Sequence, residues 1–569
     1  MKEWGGGLGI EKINVDVETD VMSFWDSEVD TRFPGQITLG AKPVHCTITP
    51  AVSLRHHFVY DDELYFTVAT QGPLTYIGYK FSTPATVGSN KIILGIGSNT
   101  EWQTSPIGGA LGIGKFLVFT CQPSYELSYG LQICSVATLG ADKPRKNVSA
   151  KAQAYSDTPM YYTSRWLHFA GLSDNDVVSY QKQIFTNGVF GGALSTGSLS
   201  TQAIPTNMQP LVSDGLRVFS ALPEGVVDMF PTGGCTTVVD TARRPDKNIL
   251  SDIFGGDLIV KHFEDLIAVD ISNLTPEAIG LNMNDGLPED KTGNITAMTS
   301  SWKYLFAAVK GATYSNIFAY DGAGWHFLSK IPSAGAQVRD MFITSVPDDI
   351  TRLWLMYLSG NPNYILNPLT NPVQAGTYNY APTGHITFPI YDGGMVEEPG
   401  AFYDMAVNVD SIGGGNKLDV YYGLNGASPV TTLGAVGSIV TKLQFGAGVG
   451  VDGYRIQPKF LFTGSPAGTT PIFREANIHY LKLPKERESF TFTVDLKETA
   501  MRETRPLEAI LGSLSYEKSC RTLLPFWYGR MATKNVKVLE MPSLEEIDTG
   551  NIYEDERIGL VTVRVAELI

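Results

Sequence analysis

The feature that most constrains the fold is a repeated unit between about residues 51 and 380. Each unit is a short run of apolar and aromatic residues, a polar turn, and a second run rich in aromatic and β-branched residues. Successive units are roughly 40 to 50 residues apart, a spacing that matches four-stranded propeller blades better than helical or leucine-rich repeats. Because such a unit cannot bury its faces alone, it must stack on copies of itself. The sequence therefore predicts a β-propeller of six or seven blades over residues 51–380.

One unit shows the predicted hairpin clearly. Residues 316–320 and 325–328 are two strand-forming runs, and Asp321-Gly322 lies in the polar break between them. Asp-Gly between two such runs is a strong local signal for a β-hairpin. Composition agrees with a mainly β chain, since 58 Gly, 32 Pro and 11% aromatic residues accompany only one convincing amphipathic helix.

The segments on either side of the repeats differ from them. Residues 1–50 precede the repeats and are predicted to form an N-terminal arm. Residues 381–484 contain long alternating strands separated by Gly-rich turns, which favours an antiparallel β-sandwich. Residues 485–569 are predicted to form a small α+β assembly module, in which a helix over 506–514 has one apolar face, formed by Leu507, Ile510, Leu511 and Leu514.

Charge and composition argue against several classes of protein. The net charge is -15 and no basic run exists, which argues against non-specific electrostatic binding of nucleic acid. No apolar run approaches the ~20 residues that cross a bilayer, so no membrane insertion is expected, and the N-terminus shows no secretory signal. The five cysteines are scattered without a Cys-x-x-Cys pair, so neither a disulfide framework nor a thiolate metal site is predicted.

Signals for catalysis and cofactors are weak. Residues 109–115 match the start of a phosphate-binding loop, but Phe116 stands where a hydroxyl should contact magnesium, and a strand follows where a helix should begin. Carboxylates that could serve a propeller glycosidase lie at turns or strand ends, where Asp commonly bonds its own backbone: Asp61, Asp62, Asp257, Asp265 and Asp321. We therefore predict no catalytic residues, no cofactor and no metal site.

Aromatic residues in the later repeats are the better candidates for binding. A carbohydrate- or protein-binding surface uses aromatic faces beside Asp and Asn. The residues predicted to form such a surface are Trp302, Tyr320, Trp325 and Trp354. The alternative is that these side chains fill the space between neighbouring blades.

The order of these parts resembles that of minor structural or tail-tip proteins of tailed bacteriophages. The segments that carry the resemblance are the arm, the edge of the sandwich with its following strand, and the closing strand: 29–39, 453–462, 470–480 and 565–568. The resemblance implies a virion component, made in the host cytoplasm, that assembles with other tail proteins and with copies of itself in a symmetric homo-oligomer. It also implies a place near the end of the tail that attaches to the host, where a surface glycan or protein would be the partner.

Two other functions remain open from the sequence. A propeller enzyme acting on host surface glycans would bring two carboxylates together in a central depression. A carbohydrate-binding protein would bind glycan as an isolated monomer. A propeller is compatible with either function, so the repeats do not choose between them.

Overall fold

The structure of the chain is a computed structural model. It describes residues 26–48, 54–60, 62–68, 76–82, 86–93, 107–113, 116–121, 129–135, 146–152, 160–162, 166–170, 177–181, 197–198, 211–214, 217–222, 225–230, 234–240, 250–262, 265–281, 293–311, 313–332, 337–357, 361–392, 399–465, 468–482, 489–506, 509–510, 512–514, 516, 524–526, 534–540 and 560–567.

The arm contributes five short strands before the first blade. They are β1 (Asp26–Ser27), β2 (Val29–Asp30), β3 (Thr38–Leu39), β4 (Val44–His45) and β5 (Thr47–Ile48). β2 and β3 pair with each other, whereas the other three pair with strands far away in the sequence.

The repeats form seven successive antiparallel sheets in the described part of the chain. Their strands are, for blade 1, β6 (Leu54–Tyr60), β7 (Glu63–Val68), β8 (Tyr76–Ser82) and β9 (Thr86–Ile93); for blade 2, β10 (Ile107–Ile113), β11 (Phe116–Cys121), β12 (Tyr129–Ser135) and β13 (Lys146–Ala152); for blade 3, β14 (Met160–Tyr162), β15 (Trp166–Ala170), β16 (Val177–Gln181) and β17 (Gly197–Ser198); for blade 4, β18 (Leu211–Ser213), β19 (Val218–Leu222), β20 (Gly225–Phe230) and β21 (Gly234–Asp240). Blade 5 contains β22 (Ser251–Phe254), β23 (Asp257–His262), β24 (Asp265–Asp270) and β25 (Pro276–Gly280); blade 6 contains β26 (Asn294–Ser300), β27 (Leu305–Lys310), β28 (Tyr314–Tyr320) and β29 (Trp325–Pro332); blade 7 contains β30 (Val338–Thr344), β31 (Arg352–Tyr357), β32 (Asn363–Leu366) and β4 of the arm.

The seven sheets are the blades of a propeller. The first strand of each blade lies beside the first strand of the next, from β6 through β30. Blade 7 packs directly on blade 1, where the rings of His57 and Phe342 stack with centroids 3.3 Å apart. The prediction of a β-propeller is confirmed, and the described strands form seven blades.

The arm closes this ring. β4 pairs with β32 as the outermost strand of blade 7, with Val44 opposite Tyr364. Two residues later, β5 pairs in parallel with β9 of blade 1. A segment that precedes the first blade thus completes the last blade and extends the first, so the two ends of the repeat region are joined by backbone hydrogen bonds.

Two middle strands, β27 of blade 6 and β31 of blade 7, have almost no solvent-facing side. All six residues of β31 are buried, as are five of the six in β27. Because each blade is covered on both faces by its neighbours, alternation of polar and apolar residues disappears in these strands. The core therefore lies between blades.

The sandwich follows the propeller and has two sheets. Its strands are β33 (Thr383–Thr387), β34 (Gly400–Asp410), β35 (Lys417–Leu424), β36 (Thr431–Ala435), β37 (Val440–Gln444), β38 (Val451–Gly453), β39 (Ile456–Thr463) and β40 (Ile472–Lys482). One sheet has the order β1-β33-β39-β35-β36, and in the other β34 pairs with β37, β38 and β40. Phe460 contacts Phe388 and Phe473, with ring centroids 5.9 and 4.9 Å away, in the core between them.

The C-terminal module is a four-stranded sheet with a helix. Its elements are β41 (Ser489–Asp495), α1 (Leu496–Glu503), β42 (Leu524–Phe526), β43 (Lys534–Glu540) and β44 (Leu560–Glu567), with the sheet order β41-β44-β43-β42. The described residues between 509 and 516 are helical, and Ile510 and Leu514 belong to the apolar cluster of the sheet. Leu507 and Leu511 lie outside the described residues. α1 was not predicted.

The chain divides into two compact units. The first contains residues 1–391, 405–443 and 457–477, which cover the arm, the propeller and most of the sandwich. The second contains residues 392–404, 444–456 and 478–569.

Candidate functional site

The four aromatic residues predicted to share a surface lie in different environments. Trp354 is fully buried between blades 7 and 1, where its ring contacts those of Phe66 and Phe81 at 5.2 and 4.9 Å. Trp325 is 5% exposed, and its indole Nε1 donates a hydrogen bond of 2.6 Å to the carbonyl of Ile279 in blade 5. For these two residues the expectation of exposure is corrected, because both faces of a blade strand are covered by neighbouring blades. Their role is packing.

Trp302 and Tyr320 remain on the surface to different degrees. Trp302 is 83% exposed in the turn between β26 and β27. Tyr320 is half-buried, its ring lies 5.1 Å from that of Trp325, and its hydroxyl donates to the carbonyl of Gly322. Whether either residue binds a ligand stays a prediction.

Several carboxylates lie near Tyr320. Asp257 and Asp270 are directly opposite each other on β23 and β24. Burial and the charges of Asp270 and Glu277 raise the pKa of Asp257, whereas hydrogen bonds from Ser272 lower the pKa of Asp270. Since the Asp270 carboxylate is already bonded within its own turn, this pair fits turn chemistry better than acid and base catalysis.

A buried ion pair anchors the arm. The guanidinium of Arg32 contacts both carboxylate oxygens of Asp30, at 2.9 Å from Nε and 2.7 Å from the terminal nitrogen, and neither side chain is exposed to solvent. Arg32 also donates to the carbonyl of Pro368, which follows blade 7, and lies over the ring of Tyr304 in blade 6. The hydroxyl of Tyr378 donates to Asp30 at 3.3 Å. One ion pair therefore joins the arm to the last two blades.

The pKa values at this ion pair follow from burial and charge. Burial alone would lower the pKa of Arg32, but the charge and hydrogen bonds of Asp30 outweigh it and raise the pKa above its usual value. Burial raises the pKa of Tyr304 to about 12, and burial with the charge of Asp30 raises the pKa of Tyr378 well above its usual value. Arg32 is thus charged and both tyrosines are neutral throughout the physiological range.

A second contact of the arm has the residue types of a catalytic triad. Thr31 Oγ1 lies 2.8 Å from Nδ1 of His326, and Nε2 of His326 lies 3.3 Å from Oδ2 of Asp321. Burial would raise the pKa of Asp321, but hydrogen bonds from His326 and from two backbone N–H groups lower it to about 2. Thr31 and His326 are each 1% exposed, so a substrate cannot reach the hydroxyl. The arrangement ties the arm to the turn of blade 6.

The arm also binds the sandwich. β1 pairs with β33, and Asp26 and Glu28 contact the two ring nitrogens of His385 at 2.7 and 3.3 Å. Glu28 forms an ion pair with Lys330 of blade 6 as well. Burial would lower the pKa of His385, but the two carboxylates outweigh it and raise the pKa. The arm, the sandwich and blade 6 therefore share one charged cluster.

Two glycines allow the arm to approach this closely. A Cβ on Gly40 would lie 2.8 Å from the carbonyl oxygen of Leu328 in blade 6. A Cβ on Gly384 in β33 would lie 2.5 Å from the carbonyl oxygen of Glu28. Both contacts are with backbone, which cannot move aside as a flexible side chain can. These positions require glycine.

We call residues 26–48, with the blade and sandwich residues that they contact, the arm junction. Its contacts are not evident from the sequence pattern. One signal was present, since Asp30 and Arg32 are opposite charges two residues apart and so lie on the same side of an extended chain. The partners of that pair lie more than 300 residues away in the sequence, at Pro368 and Tyr378, and no local pattern reveals them.

Within the described ranges, no group of three or more His, Cys, Asp or Glu residues is placed to hold a metal ion. No helix among the described residues is long and apolar enough to span a bilayer.

Comparisons with known proteins add little to this description. No protein-family model matches the sequence, and no curated protein matches it significantly. Among solved structures, the extracellular domain of a putative one-component system from B. thetaiotaomicron is 9% identical, with a TM-score of 0.39, over 64% of this chain and 43% of that one. The chain thus spans less than half the length of that domain.

Two other solved structures are matched over most of their length. BamB from Moraxella catarrhalis is 11% identical, with a TM-score of 0.35, over 60% of this chain and 97% of that one. The WD40 domain of Toxoplasma gondii coronin is 10% identical, with a TM-score of 0.34, over 61% and 87%. The similarity is too low to support an argument about function, and the propeller assignment rests on the sheet topology described above.

Proposed function

We propose that this protein is a structural component of a bacteriophage tail, in which the propeller and sandwich form a platform for neighbouring subunits. The observation that carries the proposal is the arm junction. A single segment of 23 residues, 26–48, completes the ring, extends blade 1 and pairs with the sandwich. Such a segment fixes the position of the propeller relative to the sandwich sheet. A scaffold that bears load requires this rigidity.

The bacteriophage assignment comes from the order of the modules. The arm junction supports the scaffold role in this assignment, because it holds the propeller and the sandwich sheet together. A scaffold must keep its binding surfaces in register while subunits assemble around it. Two charged clusters and two close glycine contacts hold the arm in place. In blade 5, the carboxylate of Asp270 accepts hydrogen bonds from Ser272 in its own turn, which favours turn formation over catalysis. The chain would be made in the host cytoplasm and incorporated into the virion, where its partners would be other tail proteins and copies of the same chain.

Host attachment is a secondary part of the proposal. Trp302 is the exposed aromatic residue that the sequence singled out and that the fold leaves accessible. A surface glycan or protein of the host could stack on its indole ring. A glycan hydrolase is not proposed, because no observation in the described residues favours it.

The test is incorporation into particles. Virions produced with the wild-type chain should contain it in a fixed ratio to the major tail protein, measured by quantitative mass spectrometry. Gly40→Ala, which disturbs the arm junction, should reduce incorporation strongly, whereas Gly376→Ala should not, because a Cβ at Gly376 meets no atom within 4 Å. Absence of the chain from particles of normal morphology would refute the proposal.

A further inference from the structure

The sandwich has an open edge at β36. Among the strands that the structure describes, β36 is the last of its sheet and pairs with β35 on one side only. Thr431, Thr432 and Ala435 are exposed. A free strand edge presents unpaired N–H and C=O groups that can pair with another strand.

The direction of these groups follows from the pairing with β35. The N–H of Val436 donates to the carbonyl of Leu418, so these two residues form a hydrogen-bonded pair. In an antiparallel ladder the next pair, Ala435 opposite Asp419, is then a non-hydrogen-bonded pair. The N–H and C=O of Ala435 therefore point away from β35, toward the open side.

The edge carries a register shift opposite Val420 and Tyr421 and has Pro429 just before it, but it lacks the charged side chains that most directly protect such strands. No Asp, Glu, Lys or Arg occurs from Val420 through Thr441. Exposed apolar side chains flank the strand: Val430 is 75% exposed before it, and Ile439 and Val440 are 63% and 64% exposed after it. The outer strand of blade 5 is different, since β25 exposes Pro276 and Glu277, which are typical protectors of an edge.

We propose that β36 is a self-association edge, at which β36 of a second copy pairs antiparallel and continues the sheet across a two-fold axis. Two features select a second copy as the occupant. The chain carries a net charge of -15, so two copies approach each other with least repulsion where the surface carries no charge. An antiparallel strand pair is also self-complementary, as a two-fold interface must be.

This inference rests on the proposed function in one respect, which is that the partner at the β36 edge is a second copy of the chain. It is tested on the isolated full chain, so its outcome is independent of incorporation into particles. Sedimentation velocity over a concentration series should show a monomer–dimer equilibrium for the wild type. Hydrogen exchange at the Ala435 amide should slow as the dimer forms.

Charge substitutions in the edge provide the decisive comparison. Thr432→Glu and Thr432→Lys each place like charges close together across the two-fold axis, and each should raise the dimer dissociation constant by at least about tenfold. A mixture of the two variants should restore the dimer, which a loss of folding could not do. Ala278→Glu is the control, because Ala278 is exposed on β25, another edge strand, and this variant should dimerise like the wild type.

Three results would overturn the inference. The first is a wild-type chain that stays monomeric at every concentration. The second is a dimer that neither Thr432 variant weakens, or that Ala278→Glu weakens equally. The third is failure of the mixed variants to associate when each is folded by circular dichroism.

Discussion

The buried ion pair of the arm gives the sharpest stability prediction. Arg32→Met keeps an unbranched apolar stem but removes the guanidinium. The carboxylate of Asp30 then remains buried, with 0% side-chain exposure, and retains two neutral donors, the backbone N–H of residue 32 at 3.1 Å and the hydroxyl of Tyr378 at 3.3 Å. Removing one member of a buried pair typically costs about 3–5 kcal/mol, because the other charge is left uncompensated.

The double variant separates the pair from its surroundings. In Asp30→Asn with Arg32→Met no charge is buried, so the double variant should recover at least half of the loss, about 2 kcal/mol or more. The exposed pair of Arg502 and Glu498 on α1, with 77% and 58% exposed side chains, serves as the control. Arg502→Met should cost only about 0.3–0.5 kcal/mol.

The assay should report on the arm itself. Native-state hydrogen exchange of the amides in β2, β3 and β4 gives the free energy of arm opening, and urea unfolding followed by fluorescence gives that of the whole unit. The explanation would be refuted if Arg32→Met lowered both free energies by no more than Arg502→Met does. It would also be refuted if the double variant were less stable than either single variant.

Four further predictions use other parts of the structure. Gly40→Ala should speed limited proteolysis within residues 26–48, because its Cβ would lie 2.8 Å from a backbone oxygen, while Gly376→Ala should match the wild type. Trp354→Ala should lower the free energy of unfolding by about 3–5 kcal/mol, measured by urea titration, because it empties a fully buried site. Trp302→Ala should change that free energy by less than about 0.5 kcal/mol, since the side chain is 83% exposed. A larger change would mean that the Trp302 side chain is packed against other residues, contrary to the structure. The stabilisation due to His385, whose pKa is raised in the folded state, should be complete below about pH 6.5 and decline as the pH rises through the raised pKa; His385→Asn should abolish this slope in a pH series of urea titrations.

The sequence was sufficient for elements with local signals. The hairpin of β28 and β29 turns at Asp321-Gly322, where the carboxylate accepts hydrogen bonds from the N–H groups of Ala323 and Gly324. The long sandwich strands β34 and β35, which begin at Gly400 and Lys417, lie in the segment 381–484, where alternation predicted long strands. These signals lie within a few residues of the structure they specify, so no distant partner is needed to interpret them.

Elements that depend on distant partners were not predictable. Closure of the ring by β4 and β5 requires pairing with strands that lie hundreds of residues away for β32 and about 40 for β9. Burial of Trp354 could not be distinguished from exposure, because a middle blade strand is apolar on both faces and shows no alternation. The same limit explains why Asp30 and Arg32 were not recognised as a buried pair.

The composition of purified virions tests the central claim most directly. If the chain is a structural tail component, quantitative mass spectrometry of intact particles should find it at a constant ratio to the major tail protein across preparations. Particles assembled with Arg32→Met should contain less of it, in proportion to the loss of arm stability. Complete particles that lack the chain, or incorporation that is indifferent to the arm junction, would contradict the account.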